Sequence, residues 1–110
     1  MDIVTQEYKR VAVMAVTGRV DSATAPDMES KLRELVDGGK TQIVLDLKSV
    51  EYMSSAGLRA MVSTLKAVKR VNGDLRLANP SPRVEEVLRL AGLTSIFSIH
   101  PTQEEAVGSF

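Results

Sequence analysis

Two adjacent hydroxyl groups stand where an apolar run gives way to a helical pattern, in the stretch EYMSSAGLRAMV that begins at Glu51. Ser54 and Ser55 are followed by the small residues Ala56 and Gly57. A serine at such a junction can cap the helix, act as an activated nucleophile, or accept a modifying group. Each role needs different neighbours, so the surrounding residues discriminate between the three.

Capping is the commonest role, because a serine oxygen accepts a hydrogen bond from an otherwise unpaired backbone N–H. The two small residues would then let the helix start pack closely against the sheet. Catalysis is disfavoured, because a nucleophilic serine needs a base, usually a histidine held by an acid. The one histidine, His100, lies near the far end of the chain, and Asp21 and Asp46 alone would activate a serine poorly. Neither a G-x-S-x-G turn nor a G-x-x-x-x-G-K-[ST] loop is present.

Modification is the third possibility. A phosphate on Ser55 would lie at a helix N-terminus, where backbone N–H groups and the helix dipole favour negative charge. It would add about −1.5 to −2 units of charge. We expect the fold to tolerate that charge, whereas a partner docked over the same spot would have to desolvate or face it. Such a site works as a switch with little change of shape.

The elements that position these serines alternate along the chain in the order β-β-α-β-α-β-α-β-α. The predicted strands are DIVTQEY, RVAVMAV, QIVLDL, DLRLA and SIFSI, with a turn at Lys9-Arg10 joining the first two. Strands that alternate with helices form a parallel or mixed sheet on which the helices pack. We therefore predict one α/β domain over residues 1–110, with about five strands and four helices mainly on one face of the sheet.

Residues typical of helix ends flank the predicted helices. Thr24 with Asp27, and Thr102 with Glu105, have the spacing of a capping box, and Ser81 precedes a proline at the start of the third helix. The predicted stops are Gly38-Gly39, Asn72-Gly73 and Gly92.

The composition excludes several classes of protein. Of 110 residues, 44% are apolar and 25% are charged, as in ordinary globular chains. Fourteen basic and 14 acidic residues give zero net charge, which argues against direct nucleic-acid binding. The absence of cysteine and the single histidine argue against thiol chemistry and a metal cluster. With no visible signal peptide and no run near the roughly 18 apolar residues of a membrane span, we expect a cytoplasmic protein. Zero net charge and the lack of a long apolar surface stretch favour a monomer, and we expect no cofactor.

The segment IVLDLKSVEYMSSAGLRAMVSTLKAV, Ile43–Val68, resembles the signature of bacterial anti-sigma factor antagonists, which are free-standing STAS domains. In that family a strand ending in Asp-Leu leads through M-D-S-[ST]-G-L into a helix, and the serine after the aspartate is phosphorylated. The resemblance places Ser55 at the acceptor position. TGRVDSATAP resembles the family's GxLD segment, with Asp21 as the matching aspartate.

Two positions depart from the family pattern. The residue before the acceptor is Ser54 instead of aspartate, so two hydroxyls are offered, and the register favours Ser55. Arg59 stands where family members have a small residue. Arg59 is either a solvated surface charge or a partner contact that pairs with a carboxylate on a kinase or with the phosphate itself.

The resemblance implies a binding module and kinase substrate that is not itself an enzyme. The unmodified protein would bind a serine-kinase anti-sigma factor of the histidine-kinase-like ATPase fold and free its client. That kinase would use ATP and magnesium to phosphorylate Ser55, and a metal-dependent serine phosphatase would reset the switch. The expected partner-binding residues are Asp21, Ser22, Thr24, Ser54, Ser55, Gly57, Arg59 and Ser63. The alternative is a STAS assembly subunit, in a stress-sensing scaffold or a lipid-transport complex, that works without phosphotransfer.

Overall fold

The computed structural model describes all 110 residues, which form five strands and four helices in the predicted order. In chain order these are β1 (Asp2–Tyr8), β2 (Val11–Val20), α1 (Ala25–Asp37), β3 (Gln42–Met53), α2 (Ser55–Lys69), β4 (Asp74–Ala78), α3 (Pro82–Leu90), β5 (Ile99–His100) and α4 (Gln103–Gly108). The predicted α/β class is confirmed. None of the helices has the length and apolar character needed to cross a membrane.

The five strands form one mixed sheet in the order β1-β2-β3-β4-β5. β1 pairs antiparallel with β2 through the turn at Lys9-Arg10, and the other neighbouring pairs are parallel. Because β2, β3 and β4 point the same way, their carboxyl ends meet at one edge of the sheet. The helices α1, α2 and α3 each start at that edge, which we call the carboxyl edge.

Three of the helices cover one face of the sheet, as predicted. The larger core joins apolar side chains of α1, α2 and α3, among them Met28, Met61 and Leu88, to inward-facing strand residues such as Met14 and Leu45. The opposite face is covered only by α4, whose Ala106 packs with a small apolar group. The strand residues of that group are Val11, Val13, Val44 and Ala78. The larger core therefore fixes how the three helix starts sit at the carboxyl edge.

Two strands are longer than the apolar runs RVAVMAV and QIVLDL that predict them. β2 continues to Val20 and β3 continues to Met53, beyond the predicted end at Leu47. In this extension the pairing shifts register between Ala15 and Thr17 and again after Gly18. A bulge of this kind interrupts the two-residue period, so the sequence pattern looks irregular although the backbone stays extended. The extension carries β3 to the residue before Ser54.

The predicted strand SIFSI is largely wrong, because β5 contains only Ile99 and His100. The preceding segment is a turn in which the backbone N–H groups of Ile96 and Phe97 both donate to the carbonyl oxygen of Leu93, at 3.2 and 3.3 Å. Phe97 is buried in the larger core. The apolar side chain at this position is explained by its packing in the core and does not indicate a strand.

Candidate docking and modification site

Ser54 caps α2. Its backbone is extended, its Oγ accepts a hydrogen bond from the N–H of Gly57 at 3.3 Å, and its own N–H donates to the carbonyl oxygen of Val20 at 2.8 Å. The second bond ties the start of α2 to the end of β2. The capping role that the sequence favours for a serine at this junction is therefore filled by Ser54.

Ser55 is the first residue of α2 and is exposed to solvent. Its hydroxyl forms no hydrogen bond with another residue, since the cap bond comes from its neighbour Ser54. Adjacent positions in the chain thus hold one engaged hydroxyl and one free hydroxyl. The residue with the free hydroxyl, Ser55, is exposed, whereas Ser54 is half-buried.

Gly57 is buried beneath the start of α2. A Cβ at this position would collide with Sδ of Met53 and lie 2.8 Å from Cγ1 of Val20. The glycine lets the helix approach the ends of β2 and β3, as the sequence predicted for the small residues. It was also predicted to contact a partner, but it offers little surface for such a contact because it faces the core.

The turn between β2 and α1 is closed by Asp21 and Thr24. The N–H of Thr24 donates to Oδ1 of Asp21 at 3.0 Å, and the N–H of Asp21 donates to Oγ1 of Thr24 at 2.9 Å. This reciprocal pair has the geometry of a capping box but closes the turn that precedes α1, whose own N-cap residue is Thr24. The predicted box between Thr24 and Asp27 is wrong, because the Thr24 hydroxyl is occupied by Asp21 and by the carbonyl oxygen of Arg19, 2.9 Å away.

The turn also lowers the pKa of Asp21. The N–H of Thr24 lowers the pKa of the Asp21 carboxyl below its ordinary value of 3.8, while partial burial acts in the opposite direction. The Thr24 hydroxyl, the N–H of Ala23 and the positive charge of Arg19 lower this pKa further. Asp21 and Thr24, both predicted to contact a partner, direct these polar groups into the turn and shape the surface next to Ser22.

A groove runs along α2 beside the residues that follow α3. It has a volume of about 530 Å³ and includes three of the predicted partner-binding residues, Ser55, Arg59 and Ser63. These three are four residues apart, so they share one exposed face of the helix. The other residues that line this α2 groove are Leu58, Val62, Lys66, Ala91 and Leu93.

A smaller depression separates α1 from α2. It contains Ser22 and also Arg59, which therefore borders both cavities. The structure thus places Ser22, Ser55, Arg59 and Ser63 on one continuous surface. Lys66 was not predicted as a site residue, although its position seven residues after Arg59 puts it on the same side of the helix.

The electrostatics of α2 are one-sided. The helix has three basic residues and no acidic residue. Arg59 and Lys66 form no ion pair within the chain, whereas most other basic side chains on the helices do. The paired ones are Lys31 with Glu34, Arg33 with Glu29, Lys69 with Asp74, and Arg89 with Glu86. The α2 groove therefore combines apolar walls with two uncompensated positive charges.

The other candidate polar residues are held elsewhere. Nε2 of His100 lies 2.8 Å from the hydroxyl of Ser98 on the same segment. The two carboxylate oxygens of Asp46 accept hydrogen bonds from Gln103 and from the N–H of Lys48. No group of three or more His, Cys, Asp or Glu residues is arranged to hold a metal ion.

Comparisons with known proteins identify the family of the chain. Residues 2–106 match the STAS domain family. A putative anti-sigma factor antagonist, BtrV of Bordetella bronchiseptica, is 34% identical over 110 residues, which are all of this chain and 95% of that protein. The anti-sigma-B factor antagonist of Bacillus subtilis is 36% identical over 92 residues, 84% of each chain.

A solved structure gives the same result. The crystal structure of a putative anti-sigma factor antagonist from Thermotoga maritima superposes with a TM-score of 0.92 at 26% identity, covering 97% of this chain and 92% of that one. The chain therefore belongs to the STAS domain family. The resemblance to the anti-sigma factor antagonists of that family, first found in the sequence, is confirmed.

Proposed function

We propose that this protein is an anti-sigma factor antagonist whose unmodified form binds a serine-kinase anti-sigma factor and so releases the factor's client. Phosphorylation of Ser55 switches this binding off. The observation that carries the proposal is the exposed hydroxyl of Ser55, free of hydrogen bonds, at the first turn of α2. The names of the relatives support the antagonist role.

The phosphotransfer requires little from this chain. Oγ of Ser55 attacks the γ-phosphorus of ATP, which the kinase holds with magnesium. A new O–P bond forms as the bond from the γ-phosphorus to the bridging oxygen breaks, the hydroxyl proton passes to a base on the kinase, and ADP leaves. A metal-dependent serine phosphatase resets the switch when water attacks the phosphorus, which releases inorganic phosphate and restores the hydroxyl.

The position of Ser55 separates the effect on the fold from the effect on the partner. The phosphate lies beside the free N–H groups at the start of α2, where the helix dipole favours negative charge. It replaces no hydrogen bond, because Ser54 makes the cap. A partner that covers the α2 groove would instead have to desolvate a dianion next to the apolar side chains of Leu58 and Val62.

The docking surface is the continuous surface that contains Ser22, Ser55, Arg59 and Ser63. The side chains of Asp21 and Thr24 support it by fixing the adjacent turn. Its half-buried apolar side chains and exposed basic groups favour a partner that presents acidic and apolar side chains.

Affinity purification with four baits tests the proposal: the native chain, Ser55→Ala, Ser55→Glu and the matched control Ser54→Ala. We expect the native chain and Ser55→Ala to recover the same kinase, which then phosphorylates the native chain and Ser54→Ala but not Ser55→Ala. Ser55→Glu should recover at least tenfold less kinase. The phosphosites are read by mass spectrometry.

The opposite pattern would contradict the assignment of the acceptor. Stoichiometric phosphorylation of Ser55→Ala, together with none on Ser54→Ala, would move the site to Ser54. If Ser55→Glu bound its partner as tightly as the native chain, the protein would be a constitutive assembly subunit and the switch would be rejected.

A further inference from the structure

Arg59 is a positive charge without a partner, one helical turn after Ser55. Side chains four residues apart on a helix face the same side, with about 5–6 Å between their Cβ atoms. Ser55 and Arg59 are both exposed and both line the α2 groove. A guanidinium group at this spacing can reach a group attached to Oγ of Ser55.

The neighbouring acidic residues do not neutralise Arg59. On the β2–α1 turn, the carboxylate of Asp21 accepts the hydrogen bonds of Thr24 and Ala23. On α1, Glu29 borders the same depression as Arg59 but pairs with Arg33 at 3.8 Å. On α2 itself there is no acidic residue, and the segment after α3 lines the groove with Ala91 and Leu93 only.

We propose that Arg59 binds the phosphate carried by Ser55, an inference that rests on the function proposed above. The planar guanidinium group donates paired hydrogen bonds to phosphate oxygens, which makes arginine better suited to this role than lysine. The order along the helix is also the favourable one, since an anionic residue is best placed four residues before a cationic one.

This pairing changes the docking surface in two ways at once. Phosphorylation adds a dianion at Ser55, and it also withdraws the guanidinium group of Arg59 from the α2 groove. A partner carboxylate that pairs with Arg59 in the unmodified protein loses that contact in the phosphorylated one. The switch therefore acts through an exchange of the partner of Arg59 as well as through repulsion.

The test uses the full chain with phosphoserine installed at position 55 during translation, so that no kinase is needed. A ³¹P NMR titration gives the second pKa of the phosphate, which is ordinarily about 6. We expect Arg59→Gln to raise this pKa by about half a unit, because a nearby cation favours the dianion. Arg59→Lys should restore part of the shift.

Lys66→Gln is the matched control, since it removes a positive charge from the same groove. Lys66 is 11 residues from Ser55, roughly 16 Å along the helix, which is beyond the screening length of about 8 Å at physiological salt. We expect no change in the phosphate pKa for this variant. In the native phosphoprotein the side-chain Nε–Hε signal of Arg59 should move as the phosphate titrates, and in the unmodified protein it should not.

An unchanged pKa in Arg59→Gln, or an equal rise in Lys66→Gln, would overturn the inference. Because phosphoserine is installed without a kinase, this outcome is separate from the fate of the proposed function. If the recovered kinase did not phosphorylate Ser55, the proposed function would be rejected, but the NMR result would still be valid. A phosphate pKa that is the same in Arg59→Gln as in the native chain would reject the role of Arg59 and would not affect the proposed switch.

Discussion

The starts of α2 and α3 lie at the same edge of the sheet and are built alike, yet only one of them offers chemistry. In α2 the Oγ of Ser54 accepts from the N–H three residues later at 3.3 Å, and in α3 the Oγ of Ser81 does the same at 3.4 Å. The next residue is the exposed Ser55 in α2 and Pro82 in α3. Capping therefore accounts for the first serine of each junction and leaves Ser55 unexplained by helix formation.

The charges that follow also differ. Four residues after Ser55 stands the unpaired Arg59, whereas four residues after Pro82 stands Glu86, which pairs with Arg89 at 3.6 Å. The first turn of α3 also has an acidic residue, Glu85, near the positive end of the helix dipole, and the first turn of α2 has none. Helix formation is equally possible with either pattern. The comparison teaches that a free hydroxyl and a free cation, and not the cap, distinguish the start of α2.

The largest change in the free energy of unfolding is expected for a substitution at the third residue after the cap. This residue is buried in both helices and is Gly57 in α2 and Val84 in α3. Gly57→Val should lower the free energy of unfolding by about 2–3 kcal/mol, because the new side chain overlaps Met53 and Val20 in a packed core. Urea denaturation monitored by circular dichroism measures the change.

Gly108→Ala is the control for this prediction, since a Cβ there meets nothing within 4 Å. It should change the free energy of unfolding by less than about 0.5 kcal/mol. A Gly57→Val variant as stable as the native chain would mean that α2 can move away from the sheet. The close approach of the helix start to β2 and β3 would then be unnecessary.

The next largest change in stability distinguishes Ser54, Ser55 and Ser81. Ser81→Ala should lower the free energy of unfolding by about 1–2 kcal/mol and Ser54→Ala by about 1 kcal/mol, because each removes a cap. Ser81 ranks first since its hydroxyl also donates to the carbonyl oxygen of Val50 at 2.8 Å. Ser55→Ala should change the free energy of unfolding by less than about 0.5 kcal/mol, because no hydrogen bond is lost. Thermal and urea unfolding of the three variants give this ranking.

A loss of stability in Ser55→Ala as large as that in Ser54→Ala would contradict the distinction between the two serines. It would show that both hydroxyls stabilise the helix start, and Ser55 would lose its distinction as the free one. The three substitutions serve as controls for one another, since each replaces serine by alanine within the first residues of a helix.

The sequence predicted the order of the elements and the serine-containing junction at the start of α2, because both depend on local patterns. Serines and small residues followed by apolar residues at helical spacing indicate a strand-to-helix junction whatever the surrounding tertiary structure is. The end of β3 at Met53 could not be predicted, because the bulges in its pairing with β2 remove the alternation of apolar residues. The predicted strand around Phe97 is wrong, because burial by tertiary packing and burial within a strand give similar short apolar runs.

The α2 groove could not be predicted from the sequence, for a related reason. Leu58 and Val62 belong to the apolar stripe of the helix, and the sequence predicts only that such a stripe is buried. The structure leaves both side chains half-buried, because the segment after α3 covers them incompletely. Which part of an apolar stripe stays open depends on the position of a neighbouring element, and no local pattern encodes that position.

The smallest effect concerns the turn that precedes α1, the third helix that starts at the carboxyl edge, because a carboxylate closes this turn instead of a hydroxyl. Because the folded-state pKa of Asp21 is lowered from 3.8, its contribution to stability is fully present above the unfolded-state pKa and is lost as the pH falls through the folded-state pKa. We expect the stability difference between the native chain and Asp21→Asn to be constant near neutral pH and to shrink below about pH 4. Carboxyl NMR gives the titration midpoint directly, and Thr24→Val should raise it only in part, since the N–H of residue 24 remains. A midpoint at or above 3.8 in the native chain would show that the Asp21–Thr24 box does not hold the carboxylate in solution, and the α1 start would then resemble the neutral caps of α2 and α3.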